Sequence, residues 1–302
     1  MWRIKVLVQF VLAHVPYGEA VNFALQERRG AYSGAALLRS FLVQAEHVRR
    51  LNSRHPLAGA TVVEIGPGWK GLGLVVLSLF GVERVHSFDH VPHLRFDIMR
   101  RLIDIAAGNL DAASEASGLA RDVLAERLRL LQASTDLPGL LTSLRVDYHA
   151  PADAGCSGLP DRSVDLVYSY GVLEHVPERG LHAITAECAR ILKPTGRAFH
   201  NIGMHDHYEG VGGLAHGVNF LRYPEWAWKL LVDNRIAYHN RLRLPAFLKI
   251  FDDHGATVAW SDTELLAKNL QALDGLPVDR LFAGLTPAEL ATSHLYVDLA
   301  WP

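Results

Sequence analysis

The sequence predicts an α/β protein with a mostly parallel sheet, and three observations lead to this fold class. Residues 61–65 form a short β-branched run that ends in Gly66, Pro67 and Gly68. An apolar stretch long enough for a buried helix follows at 72–80, and residues 84–89 are typical of a second strand, which together predict a βαβ unit. The chain also has 302 residues, of which 49% are hydrophobic. This is enough apolar material for a large buried core.

Charge and cysteine content restrict the partners and the compartment. Thirty Lys and Arg stand against 32 Asp and Glu, so no basic excess follows a nucleic-acid backbone. We therefore expect a small-molecule substrate and no nucleic acid, in a monomer or a homodimer. Two cysteines, Cys156 and Cys188, cannot form a disulfide framework and indicate the reducing cytoplasm. Composition leaves 16 histidines unexplained.

The first 55 residues predict an N-terminal helical cap. Apolar side chains recur at helical spacing in its first segment, at Ile4, Leu7, Val8, Val11, Leu12 and Val15. Gln9, His14 and Pro16 interrupt this run, which is far shorter than the roughly 20 apolar residues of a membrane span. We expect an amphipathic helix that packs on the body of the protein. Membrane-surface contact and a secretion signal are the alternatives.

Residues 56–302 are predicted to form the main domain. Five further strand-like runs occur at 144–147, 164–168, 196–200, 256–260 and 294–300. Helices are expected at 181–192, where Lys193 to Gly196 end the helix, and at 245–254. The leucine- and alanine-rich residues 91–141 predict a helical insertion. Residues 203–244, rich in Gly, His and aromatic side chains, fit a lid or substrate loop better than a sheet layer.

The strand-to-helix turn at residues 66–71 satisfies the pattern G-x-G-x-x-G, with Asp89 at a suitable distance for a ribose. Taken alone, this pattern favours a nicotinamide enzyme. Pro67 removes one amide from the loop that would cradle a pyrophosphate, and Glu64 places a carboxylate before it. A cationic, amine-bearing ligand tolerates that carboxylate better than two phosphates do.

Two later stretches of the sequence resemble the motifs of a known protein family. Residues 159–176 and 191–196 follow the glycine loop, and this order of motifs resembles the class I S-adenosylmethionine-dependent methyltransferases. The resemblance implies a Rossmann-like, seven-stranded, mostly parallel sheet and S-adenosylmethionine as cofactor. Shorter matches at 16–23, 205–208, 218–221 and 240–243 are similar to a bacterial subgroup. That subgroup is associated with polysaccharide and secondary-metabolite gene clusters, and its members have helical N-terminal caps.

The resemblance implies cofactor-binding residues at the carboxyl ends of the first four strands. These are Glu64, Gly66, Pro67, Gly68, Asp89, His90, Asp147, Tyr148, Ser169 and Tyr170. Asp89 is expected to hold both ribose hydroxyls, because one carboxylate can accept two hydrogen bonds from a vicinal diol. Asp147 and Tyr148, taken to end the third strand, fit adenine recognition. Ser169 and Tyr170 are expected beside the reactive sulfonium.

Residues for the acceptor follow from the chemistry of methyl transfer. A hydroxyl acceptor needs a base and an amine must stay neutral, and histidine suits either task. Four residues are the catalytic candidates: His205, Asp206, His207 and Tyr170. Six others are candidates for holding the substrate: Tyr17, Asn22, Asn201, His216, Asn219 and Arg241. Two sets have metal-like spacing, but His86, His90 and His93 flank the expected ribose ligand, and we expect no metal either there or at His205, Asp206 and His207.

Three functions remain open at this point. The first is methyl transfer to a small polar or sugar-like acceptor. The second keeps the cofactor and attacks its aminocarboxypropyl chain, by transfer or by ring closure, and releases methylthioadenosine. The third is a nicotinamide oxidoreductase, which Pro67 and Glu64 disfavour.

Overall fold

The computed structural model describes residues 2–211, 213–232, 234 and 236–302, and within them seven strands form one sheet. The strands are β1 (Thr61–Ile65), β2 (Arg84–Phe88), β3 (Val146–His149), β4 (Val164–Tyr170), β5 (Leu192–Gly203), β6 (Thr257–Leu265) and β7 (Thr292–Ala300). Their order is β3-β2-β1-β4-β5-β7-β6. The α/β class and the seven-stranded, mostly parallel sheet are confirmed. Positions 212, 233 and 235 of the predicted lid lie outside the described residues.

The helices fill the chain between these strands. Among the described residues they are α1 (Trp2–His14), α2 (Gly18–Arg28), α3 (Gly34–Arg54), α4 (Leu72–Leu79), α5 (Phe96–Gly108), α6 (Leu110–Ser117), α7 (Arg121–Gln132), α8 (Leu137–Ser143), α9 (Glu178–Ile191), α10 (Glu225–Val232), α11 (Leu244–Asp252), α12 (Ala267–Leu273) and α13 (Pro287–Ala291). The run predicted to be a helical insertion thus consists of α5 to α8. None of the described helices has the length and apolar character needed to cross a membrane.

Strand β1 lies at the point where the strand order reverses. It pairs in parallel with β2 through Val62 and Val85, and in parallel with β4 through Val62 and Leu166. All three valine and leucine side chains are buried, as expected for a strand covered on both faces. A reversal of this kind leaves a crevice at the carboxyl ends of the strands, where open α/β sheets bind ligands.

Two compact units make up the chain. The glycine-loop unit comprises Gln26–Tyr170 and Glu187–Phe199, and the histidine-rich unit comprises Met1–Leu25, Gly171–Ala186 and His200–Pro302. The boundary at residue 55 that the sequence predicts does not coincide with this division. Helix α3 packs against α4, α5 and α6 within the glycine-loop unit, so the predicted cap is divided near residue 25.

Two strand boundaries differ from the prediction for local reasons. Leu144 caps α8 and Arg145 has a φ of 57°, so β3 begins at Val146 and ends at His149. Strand β5 begins at Leu192, four residues before the predicted start at residue 196, so residues 193–196 follow the helix and already belong to the strand. The Lys193 ammonium lies 2.8 and 2.9 Å from the two Asp165 carboxylate oxygens, which ties the start of β5 to β4.

The N-terminal helix α1 packs differently from the prediction. Val6 is buried, Gln9 accepts a hydrogen bond from the Tyr208 hydroxyl at 3.1 Å, and the Lys5 ammonium lies 5.2 Å from the Tyr208 ring centre. Ile4 and Leu7 on the predicted packing face are 63% and 62% exposed. The helix therefore binds its own unit by the Val6 side, and the larger apolar face points to solvent.

Candidate active site

The loop between β1 and α4 has the backbone of a ligand cradle. Gly66, Gly68 and Gly71 have φ values of 70°, 58° and 51°, a left-handed conformation that glycine adopts without strain. A Cβ atom on Gly68 would meet no atom within 4 Å, so the backbone here faces open space. The loop ends where α4 begins, at Leu72, and the first amides of a helix lack partners within the helix.

Glu64 lies one residue before the end of β1 and is almost fully buried, with 3% of its surface exposed. Burial raises the pKa of Glu64 to about 8, although a hydrogen bond from the Ser87 hydroxyl opposes this effect. A Cβ atom on Gly73 would lie 1.8 Å from Glu64 Oε1. Gly73 therefore makes the room that the buried carboxyl group occupies.

Asp89 directly follows β2 and is also buried. Its Oδ1 lies 3.2 Å from His90 Nδ1 and accepts from the Val91 amide at 3.3 Å, while its Oδ2 lies 3.2 Å from His93 Nδ1. Burial alone raises the pKa of Asp89, but the hydrogen bonds from His90 and His93 hold it well below its usual range. Asp89 is thus an ionised acceptor at the end of a central strand.

Asp147 is not at the end of β3, which corrects the expected strand register. It is the second residue of the strand, and its Oδ2 lies 2.7 Å from Arg84 Nη1 and 3.4 Å from His86 Nδ1. The Tyr148 hydroxyl accepts from the His93 amide at 3.1 Å and donates to the Val91 carbonyl at 3.4 Å. Both side chains already have structural partners, and Tyr148 braces the segment after Asp89.

The sequence reasoning missed Asp153, which follows β3 at its carboxyl end. The Ala152 amide donates to the Asp89 carbonyl at 2.9 Å, so this segment runs beside the ribose candidate. Asp153 caps the short 3-10 helix Ala154–Cys156 by accepting from the Gly155 amide at 2.8 Å, and Cys156 at its end is exposed. In the sequence, Asp153 is the first carboxylate after this strand. It was overlooked because the strand was predicted at 144–147, two residues before its actual position.

The end of β4 brings Ser169 and Tyr170 to the same edge. Ser169 is buried and pairs with Ile65, the last residue of β1. Tyr170 is half-buried, and its ring centre lies 5.3 Å from that of His47. The glycine-loop unit therefore brings Glu64, the glycines, Asp89 and Ser169 to the carboxyl ends of β1, β2 and β4, as predicted.

Three of the four catalytic candidates follow β5 and differ in environment. Asp206 is fully buried, and its carboxylate accepts from the Tyr208 amide at 2.8 Å and from Asn219 Nδ2 at 3.3 Å. Burial raises its pKa, and these bonds oppose the rise. Asp206 therefore braces the segment, and its catalytic role stays a prediction.

His205 and His207 are both neutral imidazoles. Burial lowers the pKa of His205, and the neighbouring His294 lowers it further. Burial lowers the pKa of His207 well below its ordinary value, with added effects of His239 and His175. Within the described residues, His205 Nδ1 is buried without a hydrogen-bond partner. This atom is a candidate proton acceptor.

The six predicted substrate residues are not equally placed for binding. Tyr17 is 85% exposed, Asn22 and His216 are half-buried, and Asn201 is buried in β5. Asn219 is bonded to Asp206 as described. The buried Arg241 guanidinium donates to the carbonyls of Phe220 and Tyr223 and to the Glu225 carboxylate. Asn219 and Arg241 thus brace the segment after β5, and their contact with the substrate stays a prediction.

Two further histidines lie near His207. The His207 ring centre lies 4.8 Å from that of His175 and 4.5 Å from that of His239. Glu174, beside His175 in the 3-10 helix Leu173–His175, is buried. His239 is far away in the sequence, so no local motif could have indicated it.

A comparison with protein families identifies the domain. Residues 101–200, from within α5 to within β5, match the family described as "Methyltransferase domain". This match spans about a third of the chain, and the sheet of seven strands agrees with a methyltransferase fold. The matched family is one of methyl-transferring enzymes, and S-adenosylmethionine is bound in one of the similar structures named below. No curated protein matches the sequence of this chain.

Several solved structures resemble this chain at low sequence identity. A geranyl diphosphate methyltransferase in complex with S-adenosylmethionine is 15% identical, covers 90% of this chain and 91% of its own, and has a TM-score of 0.48. The geranyl diphosphate C-methyltransferase of Streptomyces coelicolor A3(2) is 13% identical over 85% and 79%, with a TM-score of 0.46. The cyclase SpnF is 14% identical over 85% and 81%, also with a TM-score of 0.46.

The residues of the glycine-loop unit fit S-adenosylmethionine. The backbone at Gly68 leaves open space that any Cβ would enter, so an elongated ligand can lie against the loop. The ionised Asp89 carboxylate offers acceptor atoms for a vicinal diol at the end of β2. These two features match the methionine and ribose parts of the cofactor.

Proposed function

We propose that the methyltransferase transfers a methyl group to a hydroxyl or amine of a small polar or sugar-like acceptor. One observation supports the cofactor half of this proposal above all others: the open backbone at Gly68 lies in the same unit as the buried, ionised Asp89. The polar and aromatic composition of residues 203–244 supports the acceptor half.

The residues of the glycine-loop unit bind and orient the cofactor. Asp89 accepts hydrogen bonds from the ribose hydroxyls, since its lowered pKa keeps it ionised. Glu64 holds a proton near neutral pH, because its pKa is about 8, and gives that proton up when a cationic amine approaches. When bound, S-adenosylmethionine supplies an electrophilic methyl group that an acceptor lone pair attacks in line.

We assign to His205 the task of accepting the proton that the acceptor loses. Its lowered pKa keeps the imidazole neutral at pH 7, and Nδ1 lacks a hydrogen-bond partner within the described part of the chain. A neutral imidazole can accept a proton from a hydroxyl or keep an amine acceptor neutral.

The test is incubation with S-adenosylmethionine labelled in the methyl group, against a panel of sugars and polar metabolites. We expect labelled acceptor and S-adenosylhomocysteine in equal amounts. Methylthioadenosine would contradict methyl transfer and support attack on the aminocarboxypropyl chain. His205→Ala should lower kcat by roughly 10²–10⁴-fold, the usual contribution of a general base. His254→Ala, which removes a ring bonded to His182, is the matched control and should keep its rate.

A further inference from the structure

A carboxylate and two imidazoles of the histidine-rich unit converge outside the cofactor-binding residues. Glu174, His175 and His207 each offer one ligand atom, and these three atoms all lie within 4.8 Å of one another. An ion bound at about 2.1 Å by three tetrahedral ligands holds them roughly 3.4 Å apart. Small movements of the side chains are enough to close that difference.

Glu174 supplies the carboxyl group of this cluster. Its Oε1 accepts from the Gly203 amide at 3.1 Å, which fixes the side chain. Its Oε2 is buried and, among the described residues, has no hydrogen-bond partner. A buried carboxylate oxygen without a partner is costly, so the position calls for a proton or a cation.

The histidines are oriented as metal ligands usually are. His175 Nδ1 lies 2.8 Å from the Tyr238 carbonyl oxygen and donates its hydrogen there, which leaves the lone pair on Nε2. Such a bond from the second ring nitrogen to a carbonyl is the common support of a ligating histidine. The His207 ring centre lies 4.8 Å from that of His175, which brings its ring nitrogens toward the same point.

We propose that Glu174, His175 and His207 bind a divalent transition-metal ion such as Zn²⁺ or Co²⁺. Two imidazoles and one carboxylate suit these ions, whereas Mg²⁺ and Ca²⁺ prefer sets of oxygen ligands. Three protein ligands leave at least one coordination position for water or a substrate oxygen. The site does not depend on methyl transfer, and it differs from both histidine sets weighed from the sequence.

The test uses the full chain without an affinity tag, treated with a chelator and then titrated with Zn²⁺ alone and with Co²⁺ alone. We expect one ion per chain by calorimetry, visible absorption from bound Co²⁺, and a higher Tm with Zn²⁺. His175→Ala and His207→Ala should each weaken binding at least 100-fold. His14→Ala, at the exposed end of α1, is the matched control and should bind like the unaltered chain.

Glu174→Gln is a second test of the proposed metal site. The amide oxygen of glutamine can still accept from the Gly203 amide, whereas the charge that binds the ion is lost. We expect this variant to fold and to lose the Co²⁺ absorption. The proposal is overturned if the unaltered chain binds no ion, or if His175→Ala binds as tightly as His14→Ala. Since His175 is exposed, its truncation leaves the fold intact, and circular dichroism verifies this.

Discussion

Asp89 is the side chain on which cofactor affinity should depend most. Asp89→Asn keeps the shape and removes the charge. We expect affinity for S-adenosylhomocysteine to fall by roughly 10- to 150-fold, which corresponds to about 1.5–3 kcal/mol for hydrogen bonds to a charged group. Isothermal titration calorimetry measures this change.

Asp147→Asn is the matched control for that experiment. The Asp147 side chain is 40% exposed and pairs with Arg84, so we expect unchanged affinity. An equal loss in both variants would restore the adenine role that the sequence predicts for Asp147. It would also mean that the pair with Arg84 opens when the cofactor binds.

Gly73 is the second residue with a measurable consequence. Gly73→Ala would place a methyl group 1.8 Å from Glu64 Oε1, so a buried group must move. We expect the free energy of unfolding in urea to fall by roughly 1–3 kcal/mol, the usual cost of overpacking. The double variant with Glu64→Ala should recover most of the loss. A single variant as stable as the unaltered chain would show that the carboxyl group is free to move.

At the scale of elements, α1 offers a comparison of the same substitution on two faces. Val6 is 4% exposed and Val11 is 50% exposed. Val6→Ala should lower the free energy of unfolding by roughly 1.5 kcal/mol, since the side chain loses two buried carbon atoms at about 0.8 kcal/mol each. Val11→Ala should change it by less than about 0.5 kcal/mol. A larger loss for Val11→Ala would mean that the helix packs by the face that the sequence predicts.

The elements themselves could mostly be predicted from local patterns. β1 and α4 follow from a β-branched run, a glycine turn and an apolar stretch. The start of β5 could not, because Lys193, Pro194 and Gly196 have the composition of a turn, and the ion pair of Lys193 with Asp165 joins residues far apart in the sequence. Likewise, the face by which α1 packs depends on Tyr208, which is almost 200 residues away.

At the scale of the whole molecule, two buried carboxyl groups make stability depend on pH. The pKa of Glu64 is about 8 in the folded chain against an ordinary value of 4.5, so between these values the folded state holds a proton that the unfolded state has lost. The contribution of Glu64 is therefore complete below about pH 4.5 and is lost as pH rises to about 8, by at most about 1.4 kcal/mol per pH unit. Glu174, raised to about 8 by burial, acts in the same direction.

Buried histidines act in the opposite direction at lower pH. Burial lowers the pKa of His200 to about 4 and of His239 to about 3, so their contribution grows as pH rises toward the ordinary value of 6.5. The window from about 6.5 to 8 thus isolates the carboxyl groups. We expect Glu64→Gln to lose less stability across it than the unaltered chain in urea unfolding. Parallel curves for the two proteins would contradict the raised pKa of Glu64.

The candidate site could be predicted only where it is local in sequence. The glycine loop, Asp89 and the end of β4 all follow strands that the apolar pattern marks. For Asp206 and Arg241 the sequence cannot separate the two roles, because a bracing polar residue and a functional one look alike in a sequence. The cluster at Glu174, His175 and His207 needs the fold, since residues 176–206 separate its members.

The two cysteines make the chain suitable for labelling at one position. Cys188 is buried, and burial raises the pKa of its thiol to about 12, so it does not react with maleimides near neutral pH. Cys156 is exposed at the end of the short helix that Asp153 caps. A fluorescent maleimide should therefore attach once per chain, which mass spectrometry can verify. The dye would then report on the segment beside Asp89 without any cysteine having to be introduced or removed.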